Sequence, residues 1–183
     1  LKSWMSTHRV STPITLVGAS SWYKYESKGV CLIMSPWNFP LNLTFRPLVS
    51  AIAAGNTVIL NPSEITPHIS AVMKEIVSDL FKEDEIILIE GDIEDSKELL
   101  KLPFNHIYFT GSSNVGKKIM KAAAINLTSI TLELGGKSPT IIDESANLNA
   151  IVKKIAWGKF LNNGQVCVSP DYILLHETIK EKF

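Results

Sequence analysis

The sequence predicts an α/β fold, a mainly parallel sheet flanked by helices, on three observations. Short apolar runs alternate along the chain with segments whose apolar residues recur at helical spacing. The runs are rich in Val, Ile and Leu throughout, as in strands buried on both faces. Gly, Pro, Asn and Ser punctuate the joints between them.

The elements follow in order. Residues 29–35, GVCLIMS, form an apolar run ended by Pro36, which reads as a buried strand. Residues 41–54 are helix-like and apolar nearly all round, so this helix is expected to be largely buried. NTVIL at 56–60 is the next strand, closed by Asn61 and Pro62. Ile69, Val72, Met73, Ile76, Val77 and Leu80 then fall on one helical face. Thr66 suits the N-cap of that helix and Pro67 its first turn. A strand at 85–90, a short helix at 92–100 and a strand at 106–110 come next. After residues 111–116 a helix is expected over 115–126. Strands at 129–134 and 138–143 flank Gly135 and Gly136. A helix over 148–160 carries two adjacent stripes, Ile151 and Ile155 beside Val152, Ala156 and Phe160. YILLH at 172–176 is the last strand, and 177–183 is helix-like.

Composition narrows the functional classes. With 183 residues, 45% hydrophobic and 20% charged, the chain can bury a real core and is not a disordered type. Lys+Arg and Asp+Glu both number 18, which gives no support to a nucleic-acid or membrane-surface partner. Two cysteines, Cys31 and Cys167, do not make a disulfide framework, so a reducing, cytoplasmic setting is expected. No apolar run approaches the roughly 18 residues of a membrane span, and no metal site is expected. The chain opens at Leu1 and stops inside a helix-like stretch, which reads as a piece of something longer.

Parallel sheets bind ligands beyond the carboxyl ends of their strands. The turns after 29–35, 56–60, 106–110 and 129–134 are therefore the places to look for chemistry. In the third, Gly111 and Gly116 bracket Ser112, Ser113, Asn114 and Val115 ahead of a helix. Free backbone N–H groups and the helix dipole suit a phosphate there, although an ordinary turn capped by Ser113 or Asn114 fits as well. In SPWNFP, two prolines hold Asn38 in a stiff turn past a strand end. Its amide could donate to a developing oxyanion, or serve only as a turn residue. In LELGGK, Glu133 lies between Leu132 and Leu134, where desolvation would raise its pKa and suit it as a general base. A solvent-side residue or a structural ion pair are the alternatives. The glycines that follow, Gly135 first, allow a ligand or backbone to come close. Cys31 reads as a small core residue. Cys167 does not, since Gly164, Gln165, Ser169, Pro170 and Asp171 surround it, and a loop thiolate beside a cofactor's positive charge could be a nucleophile.

Five segments in order, SPWNFPLNL, AIAAGNTVILNPSE, FTGSSNVGKKIM, TLELGGKSP and WGKFLNNGQVCVSPDY, resemble the successive signature blocks of the aldehyde dehydrogenase superfamily. The likeness runs from about Thr12 to the end and looks most like the class 3 or fatty-aldehyde branch. The resemblance implies a Rossmann-like nucleotide-binding half over 1–134 and the opening of a catalytic domain over 135–183. It implies NAD(P)-dependent oxidation of an aldehyde to a carboxylic acid, with Cys167 as nucleophile, Glu133 as general base and Asn38 in the oxyanion hole. It places the cofactor pyrophosphate near Gly111, Ser112, Ser113, Asn114, Val115 and Gly116, the adenosine ribose near Asn61 and Glu64, and Gly135 on the cofactor side. Asn61 stands where the family usually has lysine, which favours NAD over NADP. A homo-oligomer is implied for the full-length parent. Two other readings remain open, an inactive nucleotide-binding or interaction module and a CoA-acylating dehydrogenase. The second does not need the base that Glu133 supplies.

Overall fold

The computed structural model describes residues 2–183, which divide into two compact units, 2–133 and 134–183. In the first, β1 (His8–Val10) pairs antiparallel with β2 (Ser21–Tyr23). The His8 ring stacks on Tyr23 at 4.9 Å, with Tyr25 edge-on to both. No periodicity in the sequence announced this ribbon, because each of its strands has only 3 residues.

The main sheet follows. Its elements are β3 (Val30–Ser35), α1 (Pro40–Ala53), β4 (Thr57–Pro62), α2 (Pro67–Leu80), β5 (Ile86–Leu88), α3 (Ile93–Leu99), β6 (His106–Gly111), α4 (Ser113–Ala123) and β7 (Ser129–Leu134). The strand order is β5-β4-β3-β6-β7, and β3 pairs in parallel with both β4 and β6, as β4 does with β5. The expected parallel sheet is thus present. Cys31, Ile33, Val58, Leu60, Ile86 and Leu88 pack from the strands against Leu48 of α1 and Met73 and Val77 of α2. Ile107 and Phe109, pointing to the opposite face by strand alternation, are buried on the side of α4 and its Ile119.

The first helix is less enclosed than its composition predicts, and the second buries only part of its apolar face. In α1 only Thr44, Leu48 and Ala53 are buried, while Leu41 and Val49 are exposed. The helix packs one side on β3 and β4, and an apolar far side does not by itself supply a covering element. In α2, Met73 and Val77 are buried but Ile69, Val72, Ile76 and Leu80 are not. Thr66 does stand at the N-cap of α2, yet its side chain makes no capping bond and donates to Ser63 O instead.

In the second unit, β8 (Ser138–Ile142) and β9 (Pro170–Leu175) pair in parallel, joined through α5 (Leu148–Phe160). This is a β-α-β unit, which parallel pairing requires of a short chain. Asn147 caps α5 by accepting from Ala150 N at 3.2 Å. Lys137, just before β8, and Asp171, at the start of β9, form an ion pair of 3.0 Å. Among the described residues no helix is long and apolar enough to cross a membrane.

Candidate active site

The register places the site. Ser35 of β3 is level with Pro62 of β4, and Met34 is level with Phe109 of β6, so the segments after all three strands leave from one edge of the sheet. Going from β3 the chain winds outward through β4 and β5, then returns to the other side of β3 as β6. The carboxyl ends of β3 and β6 therefore flank the crevice where strand order reverses, the place an open α/β sheet offers to a ligand.

On one bank of that crevice is the bend 36–39, with Asn38 half-buried in it. A buried clamp closes its base. Thr44 Oγ1 donates to Pro40 O at 2.6 Å, which leaves its lone pairs for the Ser35 hydroxyl. Ser35 and Thr44 are 6% and 0% exposed, so the clamp works without competition from water. Pro40 is the first residue of α1, where its fixed φ suits a helix and its missing N–H costs nothing.

On the other bank is the start of α4. The helix begins at Ser113 and not at 115, so the segment 111–116 is not a glycine-bounded turn. Ser112 is the N-cap, accepting from Val115 N at 3.3 Å, in place of Ser113 or Asn114. Gly116 lies buried within the first helical turn, and its N–H bonds to Ser112 O at 2.9 Å. Gly111 ends β6, and a Cβ on it would collide with the ring of Phe109. The first-turn donors that a ligand could use are those of Ser113 and Asn114, beside two exposed serine hydroxyls. A helix of 11 residues directs its dipole at the same point. The residues present thus fit a dinucleotide's pyrophosphate.

The turn after β4 divides between two roles. Glu64 is exposed, its carboxylate receiving a bond from Ser63 Oγ at 3.3 Å, and it is open to a ribose hydroxyl. Asn61 is 3% exposed, its Nδ2 donating to Ile89 O and its Oδ1 accepting from Ser96 Oγ. In this fold the Asn61 amide holds the end of β4 to the segment after β5 and to α3.

Glu133, near the end of β7, is exposed, so the enclosure expected from Leu132 and Leu134 is missing. Its side of the sheet lines a cavity of about 900 Å³ under α1, together with Arg46, His106, Tyr108 and Thr110. Burial and then the Glu133 charge push the Tyr108 phenol up, against smaller opposing effects of Arg46 and a bond to Thr110. His106 reaches Ser129 Oγ from Nδ1 at 2.7 Å and Thr131 Oγ1 from Nε2 at 3.1 Å. Burial pushes the imidazole below its ordinary pKa of 6.5, and Lys28 adds to the effect.

The two cysteines separate cleanly. Cys31 is 4% exposed on β3, and burial raises its thiol pKa against a smaller effect of Lys28, as suits a core residue. Cys167, in the second unit, is exposed on a turn closed by Ser169 N to Val166 O at 3.0 Å. The preceding 3₁₀ turn holds Asn162, Asn163 and Gly164 at positive φ of 47°, 58° and 78°. Two adjacent asparagines in the left-handed region make a costly local shape that aims the following loop. Gly135, also in the second unit, is exposed, and a Cβ there would meet nothing within 4 Å. Among the described residues no group of three or more His, Cys, Asp or Glu could hold a metal.

The model of the family described as "Aldehyde dehydrogenase family" matches residues 4–183. The chain belongs to the aldehyde dehydrogenase family. It is 49% identical over 181 residues to the 4,4'-diaponeurosporen-aldehyde dehydrogenase of Staphylococcus aureus, covering 99% of this chain and 39% of that protein. It is 47% identical over 157 residues to the mouse dimeric NADP-preferring aldehyde dehydrogenase, covering 86% of this chain and 35% of that one. The solved structure of Staphylococcus aureus AldH in a substrate-bound state superposes with a TM-score of 0.93 at 48% identity, over 99% of this chain and 40% of that one. The chain thus spans about two fifths of the length of these aldehyde dehydrogenases. Sequence reasoning missed Ser35, Thr44, His106 and Thr131. Thr44 had a local signal, since it lies four residues after Pro40 and can bond back to that carbonyl. The contacts of His106 cross between strands and left no mark at short range.

Proposed function

We propose that this aldehyde dehydrogenase oxidises an aldehyde to a carboxylic acid, with NAD as the hydride acceptor, through a thioester on Cys167. The Cys167 thiolate attacks the aldehyde carbon, forming the C–S bond, and the carbonyl oxygen becomes an oxyanion. The Asn38 amide and the backbone N–H of Cys167 donate to that oxygen. NAD, when bound, supplies the electron sink for the hydride, which none of these side chains can provide. Glu133 then takes a proton from water as the water oxygen attacks the thioester carbon, and the C–S bond breaks to return the thiolate. Splitting one difficult displacement into two easier ones suits a good nucleophile that is also a good leaving group. A reducing compartment such as the cytoplasm keeps the free Cys167 thiol available.

The observation that carries the reading is the convergence of the Asn38 bend and the α4 N-terminus at the point where strand order reverses, in a chain of this family. Glu64 is the candidate for the adenosine ribose. NAD is preferred over NADP because Asn61 is neutral at the position where the family resemblance has a lysine that could meet a 2′-phosphate. The mouse relative's preference for NADP makes that choice testable. Association into a homo-oligomer belongs to the proposal, supported by the uncovered apolar stripe of Ile69, Val72, Ile76 and Leu80 on α2. Its check is the mass in solution by light scattering.

A second reading rests on the α4 N-terminus by itself: these residues act as a nucleotide-binding module. Titrating the chain with NAD while following its thermal midpoint measures binding apart from turnover, because a ligand of the folded state raises the midpoint. Product analysis with and without CoA then separates hydrolysis from acyl transfer. Acid formed without CoA supports the proposal, and a strict CoA requirement contradicts it.

A further inference from the structure

We infer that the side-chain network Lys28–Ser129–His106–Thr131 is a positioning device for Glu133: it fixes the face of β7 from which that carboxylate projects. The inference rests on the reading of Glu133 as general base, and it assigns the network to the hydrolytic half of the reaction and not to hydride transfer.

The geometry is a ladder on one face of the sheet. Ser129, Thr131 and Glu133 point to the same side of β7 by strand alternation, and His106, Tyr108 and Thr110 do so on β6. β7 is an edge strand of the main sheet, with β6 as its neighbour there. Backbone pairing within that sheet therefore holds it from one side, and a slip of one residue would turn Ile130 and Leu132 toward the positions of Ser129 and Thr131. His106 resists that slip by bonding two successive residues of the same face, Ser129 at 2.7 Å and Thr131 at 3.1 Å.

The directions of these bonds are fixed by counting protons. The Ser129 hydroxyl donates to Asn105 O at 3.0 Å, so it accepts from Lys28 Nζ at 2.9 Å and from the Nδ1–H of His106. In the neutral imidazole, the form that burial and Lys28 favour, Nε2 is the bare nitrogen and accepts from Thr131. Every member of the network has a partner. The next rung brings Tyr108 toward Glu133, with Thr110 and Arg46 acting on the same phenol. The charged and titratable groups around the cavity that His106 and this rung line are Tyr25, Glu26, Lys28, Cys31, Arg46, Tyr108 and Glu133.

The test uses the natural polypeptide that carries these residues, at its full length. Thr131→Val keeps the shape of the side chain and removes its hydrogen bond, and His106→Phe removes both rungs. For each, first-turnover NADH formation and decay of the isolated acyl-enzyme are measured separately, with and without hydroxylamine, a nucleophile that cleaves a thioester without a base. NADH formation should stay within about twofold, and acyl-enzyme decay should slow roughly tenfold to a hundredfold, the usual cost of a misplaced group. Hydroxylamine should restore release, and His106→Gln should recover part of the decay rate. Equal loss in both steps, or loss in neither, overturns the inference. Glu133→Gln is the control for the underlying reading. If it leaves acyl-enzyme decay unchanged, the base assignment itself fails. If it slows decay while Thr131→Val and His106→Phe do not, the positioning role alone fails.

Discussion

In the first unit Leu32, Leu60, Met73 and Ile119 are 0% exposed, whereas in the second α5 has no buried residue and Trp157 and Phe160 are 69% and 72% exposed. Both regions carry apolar stripes at the correct spacing, and both form the expected elements. The difference teaches that periodicity tells which face is apolar but not whether anything in the chain covers it. The five-stranded sheet stabilises itself by burial on two faces. The β8–α5–β9 unit relies on strand pairing, the Asn147 cap and small buried contacts at Ile142, Ser169 and Ile179.

The largest expected effect sets the two regions against each other. Leu60→Ala should destabilise the first unit by about 2–5 kcal/mol, since it removes buried methyl groups and leaves a cavity. Phe160→Ala should change stability by roughly 0.5 kcal/mol or less, as for an exposed site. Denaturant titration of the chain measures both, and equal costs would break the comparison. Gly111→Ala comes next, at about 1–3 kcal/mol, because the added Cβ must displace the Phe109 ring in a packed strand. The loss should appear as a lower midpoint and as weaker NAD binding.

Caps sharpen the comparison from the other side, because they are local and independent of burial. Asp92 accepts from Glu94 N and Asp95 N and completes a capping box on α3, and Asn147 caps α5. Asp92→Ala and Asn147→Ala should each cost about 1 kcal/mol, whichever unit they occupy. Hydrogen exchange within α3 and α5 reads the two losses separately. A cost several times larger in one helix would mean that its cap also supports tertiary packing.

The smallest effect is a pH dependence. His106 has a folded pKa below its ordinary 6.5, so the unfolded chain binds its proton first as pH falls. Its contribution to stability is complete above about 6.5 and is lost as pH drops from there through the folded value. Midpoints measured between neutral and mildly acidic pH should fall less steeply in His106→Phe than in the parent. An unchanged slope would show that His106 titrates normally.

Much of the sheet was legible because its strands are short apolar runs and its helices strongly periodic. The helix at 148–160 formed over the same residues, and β3, β4, β6 and β7 lie within two residues of the runs that announced them. Legibility ended where partners come from far along the chain. Asn61 reads locally as a turn residue before proline, yet Ser96 and Ile89 decide its role. The exposure of Glu133 matches the solvent-side alternative, since alternation places Leu132 and Leu134 on the opposite face. Ser112 as the cap, in place of Ser113 or Asn114, is a difference of one residue that only the helix start settles. Cys167 was distinguishable from Cys31 because polar loop residues surround one and an apolar strand encloses the other.

Oxidation through a thioester on Cys167 is the central claim, and trapping that thioester tests it most directly. The natural polypeptide carrying these residues is mixed with NAD and an aldehyde, quenched in acid and mapped by mass spectrometry. The account predicts an acyl group on the peptide bearing Cys167, formed with one equivalent of NADH and absent from Cys167→Ala. NADH formation with no acyl group on Cys167, or acylation of Cys31 in its place, would contradict it.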